Sequence, residues 1–265
     1  MANTNAFELA YQALMSQSIH EKVKLTQKLS RLKDSHQLDY DKHIPIHDIK
    51  DPGRPNKPTL VRFGAVPKRD QSDMGMIKTI HAICHIEFNA INLALDAVYR
   101  FQHMEANFHK DWIQVAYEES QHFEMIRQYL KELGYQYGDF DAHNGLWTMT
   151  HETNYDVLSR MALVPRVLEA RGLDVTPSIR KKFKKSKFKK MVKILDVIYH
   201  DEIGHVRIGN HWFHALCQDR GLDAIKTFDG LIKKHIGNEL RGVFNIEARK
   251  LTGFTKQEID YLQNL

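Results

Sequence analysis

The chain has 265 residues, 42% hydrophobic and 27% charged, with a formal net charge of +5. That is the make-up of an ordinary globular protein with enough length to bury a full core. No apolar run reaches the roughly 18 residues of a membrane span. The opening MANTNAFELAYQ lacks the basic-then-apolar layout of a secretory signal, so a cytoplasmic location is expected. Two cysteines, Cys84 and Cys217, are too few for a zinc or rubredoxin-type thiolate framework. A disulfide between them is not expected in a reducing compartment.

In chain order, Phe7 to about Arg31 reads as one amphipathic helix, with Phe7, Ala10, Leu14, Val23, Leu25 and Leu29 among its apolar positions. His43 to Arg69 follows as an extended strap carrying Pro45, Pro52, Pro55, Pro58 and Pro67, since each proline disfavours helix in the residue before it. From Ser72 onward helical period dominates. It predicts helices at about 73–102, 107–133, 151–171 and 187–216. Gly134 serves as the stop of the second, Thr150 as the cap of the third and Gly172 as its end, with Thr176-Pro177 opening a short extra helix. The connection from Gly134 to Thr150 spans roughly 50 Å when extended. It can therefore return along a bundle, and it offers Trp147 and Met149 as a lid. Further helices fill the tail, one with a capping box of Thr255 and Glu258. The expected class is all-α. A four-helix bundle over 71–216 follows an N-terminal helix and strap over 1–70, and a helical extension covers 217–265.

Two Glu-x-x-His motifs carry the chemistry: Glu119-Ser-Gln-His122 and Glu202-Ile-Gly-His205. Residues three apart share a helix face, so each carboxylate and imidazole reach one point. The other two helices each offer a lone glutamate, Glu87 and Glu169. Glu87 precedes Glu119 by 32 positions and Glu169 precedes Glu202 by 33, separations that a long hairpin brings level. The midpoint of the first pair is His103, near the expected turn. Apolar seams surround these acids: Ile80, Ile83, Cys84, Ala90, Ile91 and Ala94 near Glu87; Trp112, Val115, Ala116, Phe123 and Ile126 near Glu119; Leu195, Ile198, Tyr199, Val206 and Gly209 near Glu202.

Burying one unpaired carboxylate costs several kcal/mol, and converging carboxylates repel one another. Two divalent ions resolve both problems. A single Glu-x-x-His is more often an exposed helical pair than a ligand set; two copies with matched partners are harder to explain that way. The arrangement is that of ferritin-like di-metal carboxylate proteins. Its metal ligands are expected to be Glu87, Glu119, His122, Glu169, Glu202 and His205. Glu152 competes with Glu169 for its place, although Glu169 fits the hairpin spacing better. Pro165 threatens a kink in that helix.

Around the ligands, Glu118 and Asp201 are candidates to hydrogen-bond His205 and His122, because metal-bound imidazoles usually donate their second N–H. Simple exposed acids are the competing reading. Tyr199 is a candidate to hydrogen-bond a ligand, or a packed core tyrosine. His81, His85, His211 and His214 are expected to have structural roles.

The runs HAICHIEFNAINLALDAVYRF (81–101), DPGRPNKPTLV (51–61), RMALVPRVLEARGLDVTP (160–177) and DEIGHVRIGNHWF (201–213) resemble a bacterial ferritin-like family of uncharacterised function, over about residues 45–255. That family is related in fold to the tRNA-modifying di-iron hydroxylase acting on isopentenylated adenosine, and more distantly to ubiquinone-pathway hydroxylases. The resemblance implies a ferritin-like fold and a di-iron site on the six ligands named above. It implies no substrate. The lysine-rich connection between the third and fourth helices departs from the family pattern.

Carboxylates with imidazoles suit iron, or a manganese–iron pair, better than thiol-seeking metals. The expected function is therefore an O2-dependent oxidase or hydroxylase. The alternatives are a ferroxidase or iron-handling protein, and a non-catalytic interaction module held together by metal. Arg180 to Lys193 packs nine Lys or Arg into fourteen positions, with Phe183 and Phe188 between them. Such a run can bind nucleic acid through phosphates and base stacking; a solvated helix face with buried phenylalanines is the plainer reading.

Overall fold

Hydrogen-bonding side chains divide the N-terminal region. In the computed structural model, which describes residues 3–237 and 242–264, the chain forms two compact units, Met1–His151 and Glu152–Leu265. In the first, Asn5 accepts from the amides of Phe7 and Glu8 to start α1 (Ala6–Met15), and Ser18 accepts from Glu21 to start α2 (Ile19–Asp34). The single helix expected over 7–31 is thus two. The break at Ser16–Ser18 is stabilised from a distance. Lys22, fully buried, donates to the carbonyls of Ala13 and Leu14 at 2.8 and 2.7 Å and to Asn92 Oδ1 at 2.8 Å. One ammonium therefore satisfies the last carbonyls of α1 and ties them to the next long helix.

A two-residue strand β1 (Thr4–Asn5) pairs in parallel with β2 (Leu38–Asp39). The strap then runs irregularly, as its prolines require, and is tied down by scattered hydrogen bonds. His47 N–H donates to the Tyr99 hydroxyl at 2.7 Å, Ile44 N–H to Gln102 Oε1 at 2.8 Å and Val61 N–H to the Ala142 carbonyl at 2.8 Å. The long helices α3 (Asp73–Arg100) and α4 (Ala106–Glu132) match their expected bounds closely, and they pack together as a hairpin. Ser72 caps α3, and Gly134 follows α4 with φ of 82°. The connection after Gly134 contains a further helix, α5 (Gly145–Glu152). Trp147 is buried and its indole N–H donates to the Lys50 carbonyl at 2.8 Å. It pins the strap to α5.

In the second unit α6 (Val157–Leu163) leads into a π-helical segment, Val164–Glu169, and then α7 (Ala170–Lys184), α8 (Lys190–Asp219), α9 (Ala224–His235), α10 (Ile246–Leu251) and α11 (Lys256–Gln263). The expected third helix at 151–171 is corrected at both ends. Asp156, not Thr150, caps its start by accepting from Ser159 N–H, while the Thr150 hydroxyl donates to Leu146 within α5. Gly172 does not end the helix and Thr176-Pro177 does not open a separate one; α7 runs through both to Lys184. Pro177 has no N–H for the Leu173 carbonyl, and Asn245 Nδ2 donates to that carbonyl at 3.2 Å instead. The capping box of Thr255 with Glu258 is present. Apart from the short β1–β2 pair, the regular structure of the described residues is helical. No described helix is long and apolar enough to cross a membrane.

Candidate metal centre

The α3–α4 hairpin turns through residues 101–105, so positions that sum to the same value on its two arms lie level. Glu87 and Glu119 are such a pair about His103. Their seam is dry: Ile80, Cys84, Ile91, Ala94, Val115, Ala116, Phe123 and Ile126 have no exposed surface. Into it project Glu87, Glu119 and His122, exposed by only 3%, 0% and 1%. His122 Nδ1 lies 3.2 Å from Glu87 Oε2 and 3.3 Å from Glu119 Oε2. One donor atom from each of the three falls within 4.8 Å of the others, a spacing at which they could hold a cation.

Electrostatics favours a cation there. Burial pushes the Glu87 carboxyl up to about 8, the neighbouring Glu119 pushes the same way, and His122 opposes them. A carboxyl that holds its proton near neutral pH in a dry site is one for which a positive ion substitutes well. The adjacent Cys84 is poorly suited to join it, since burial holds its thiol well above the usual range.

In the second unit α7 and α8 form a hairpin through residues 185–189. Pro165 packs on Gly209 so closely that an added Cβ would overlap the proline ring. Counted along antiparallel helices from that contact, Glu169 falls near the level of His205, although it is not among the donors that converge within 4.8 Å of one another in the described residues. Glu169, Glu202 and His205 are all buried, the first two at 8% exposure and His205 at 0%. His205 Nδ1 lies 3.8 Å from Glu202 Oε2. Glu152, the competitor for the place of Glu169, is exposed at the end of α5.

Residues 15–260 match the family model described as "Protein of unknown function (DUF455)". The chain belongs to that family. An uncharacterized protein of Haemophilus influenzae is 50% identical over 232 residues, covering 84% of this chain and 80% of the relative. No solved structure matches.

In this DUF455 chain several of the remaining candidates have hydrogen-bond partners. Glu118 is half-buried and accepts from Gln114 Nε2 at 2.7 Å. Asp201 is also half-buried. The Tyr199 hydroxyl accepts from Asn245 Nδ2 at 3.0 Å. His81 accepts from Gly138 N–H at 2.8 Å, and His85 contacts the Tyr137 hydroxyl at 2.9 Å. Both fasten the connection after α4 to α3, and burial lowers both to about 4. His214 meets Glu258 of α11 at 2.9 Å, and His211 is exposed.

Phe183 and Phe188 are buried at 0% and 2% exposure while most of the basic side chains around them are exposed. The run 180–193 therefore offers no aromatic face for base stacking. Sequence reasoning passes over Arg166, fully buried beside Glu258. An arginine inside the apolar run Leu163-Val-Pro-Arg-Val-Leu168 is the signal that points to it.

Proposed function

We propose that this chain is a ferritin-like di-metal carboxylate protein, its four bundle helices supplied by the α3–α4 hairpin and by the hairpin of α6–α7 with α8. Glu87, Glu119 and His122 from the first, with Glu169, Glu202 and His205 from the second, bind two ions. The ions are two irons or a manganese–iron pair, and the protein acts as an O2-dependent oxidase or hydroxylase. One observation carries the reading: two carboxylates and an imidazole converge in a seam closed to solvent. The family and its Haemophilus relative support neither this chemistry nor a rival one, because their descriptions name no activity.

The donor set fits iron or manganese, since hard oxygen donors outnumber nitrogen and no thiolate takes part. Bound and reduced, such a pair supplies electrons for dioxygen chemistry. The chain contributes the rest. Its apolar seam excludes water, Glu87 gives up a proton when a cation enters, and the imidazoles of His122 and His205 offer lone pairs. Glu118 and Asp201 are proposed as hydrogen-bond partners that fix the ligand imidazoles. Six protein donors for two ions leave coordination positions open to oxygen and substrate.

Anaerobic loading with Fe(II), followed by measured oxygen uptake, tests the reading. Saturation at two irons per chain with rapid oxygen uptake supports it. Loading far above two would point to iron storage. Two tightly held ions with no oxygen uptake would reduce the metal to a structural role.

A further inference from the structure

The tail of the chain has a feature that packing alone does not require. Arg166 is wholly buried, and its guanidinium lies over three rings: Phe213 at 4.1 Å, Phe228 at 4.4 Å and Phe254 at 4.8 Å. Those rings come from α8, α9 and the turn before α11. Arg166 donates to Glu258 Oε1 at 2.6 Å, and Glu258, on α11, is 1% exposed. The other oxygen, Oε2, accepts from the Thr255 amide and hydroxyl at 2.8 and 2.9 Å. Glu258 thus divides its carboxylate between capping its own helix through Oε2 and, through Oε1, meeting both the buried Arg166 and His214 at 2.9 Å. A guanidinium held this deep is tolerable only because it is paired and stacked.

The segment that Arg166 belongs to is irregular for a local reason. Pro165 has no N–H to give the carbonyl four residues back, so the α-helical ladder cannot pass through it. The chain widens into the π-turn over Val164–Glu169, a device that inserts a residue into a helix. At 3.6 residues per turn, one inserted residue rotates everything that follows by about 100° relative to the helix before it. Glu169 is the last residue of the π-turn. Its facing therefore depends on the turn keeping its form, and on Pro165 staying seated against Gly209.

Resting on the metal reading above, we infer that α11 is a positioning element for the metal centre: Glu258, through Arg166, holds the π-turn that aims Glu169 at its ion. Glu258 and Arg166 touch no metal in this account. They fix where a ligand points, so their loss acts on the ion that Glu169 serves and leaves the other ion alone.

Co(II) binding to the full chain, followed by calorimetry and visible absorption, tests this. Wild type is expected to show two sites. In E258Q one site is expected to weaken about ten- to a hundredfold, the usual effect of losing a ligand's supporting partner, while the other keeps its affinity. R166M/E258L replaces the buried pair with apolar side chains, an exchange that proteins often accept without unfolding, and is expected to lose the same site. T255A removes the capping box but not the Arg166 contact, and is expected to lower thermal stability with both affinities intact. In an E169A background E258Q should change nothing further. The inference is overturned if E258Q or R166M/E258L keeps both sites, if T255A weakens binding as E258Q does, or if E258Q still weakens binding in E169A. A wild-type protein that binds no Co(II) would instead remove the metal reading itself.

Discussion

His122 Nδ1 on α4 lies 3.2 Å from Glu87 Oε2 on α3, within a seam that neither residue shares with solvent. The contact joins the two arms of a hairpin, and it places an imidazole where it can either pair with a carboxylate or share a cation with it. Glu119 Oε2 lies at nearly the same distance, 3.3 Å, from the same nitrogen. Two acids around one imidazole are more than the imidazole can neutralise, which makes the metal-free site costly.

That cost has a pH signature. Glu87 titrates at about 8 in the fold against 4.5 in an unfolded chain, so between those values the folded protein holds the extra proton. Stability from this residue therefore falls as pH rises through the window. Metal-free E87Q, which has no charge to bury, should melt close to wild type near pH 4.5. It should melt higher than wild type at pH 8, by roughly 5 °C. Thermal melts of both proteins across that range check the sign.

The opposite slope belongs to three buried histidines, His81 and His85 on α3 and His109 on α4. His81, His85 and His109 are each lowered to about 4 by burial, against 6.5 unfolded. In this window the unfolded chain binds the additional protons, so the stability from neutral burial is lost as pH falls from 6.5 toward 4. Replacing His81 and His85 with glutamine should flatten the acid limb of the unfolding curve. An unchanged limb would mean that other groups set it.

Lys22 should matter to stability although it lies outside the proposed centre. Its ammonium serves the carbonyls of Ala13 and Leu14 and the Asn92 amide oxygen. Lys22→Ala leaves those acceptors without that donor in a dry site, at a cost of about 3 kcal/mol. Urea unfolding measures it directly, and a loss below about 0.5 kcal/mol would show that water replaces the ammonium.

Gly209 is needed for the approach of Pro165. Gly209→Ala would drive its Cβ into the proline ring, and overpacking of this kind costs about 1–3 kcal/mol. Chemical denaturation gives the stability. Because Pro165 sets the register of Glu169, the same variant should also bind Co(II) more weakly at one site.

Local pattern reveals part of this, and the divisions between legible and hidden features have physical causes. The helices α3 and α4 are long, uninterrupted and one-faced, so their period marks their bounds, and symmetry about His103 sets Glu87 opposite Glu119 on spacing alone. The break between α1 and α2 is hidden because its stabilising donor, Lys22, reaches back from the next helix. Thr176-Pro177 reads as the opening of a new helix because the residue that satisfies the Leu173 carbonyl in a continuous one, Asn245, is distant in sequence. Pro165 signals an irregularity, but a π-turn and a kink look alike in sequence. What separates them is the packing of Gly209 and the grip on Arg166. The phenylalanines of the basic run can be read either as stacking platforms or as core, and burial decides for core.

Elemental analysis of the iron-loaded full chain beside E119A and E202A tests the central claim most directly. Two metal ions per chain in the wild type, with clear loss of bound metal in each variant, is the expected result. Full metal content in both variants, or a wild type that binds none, would contradict it.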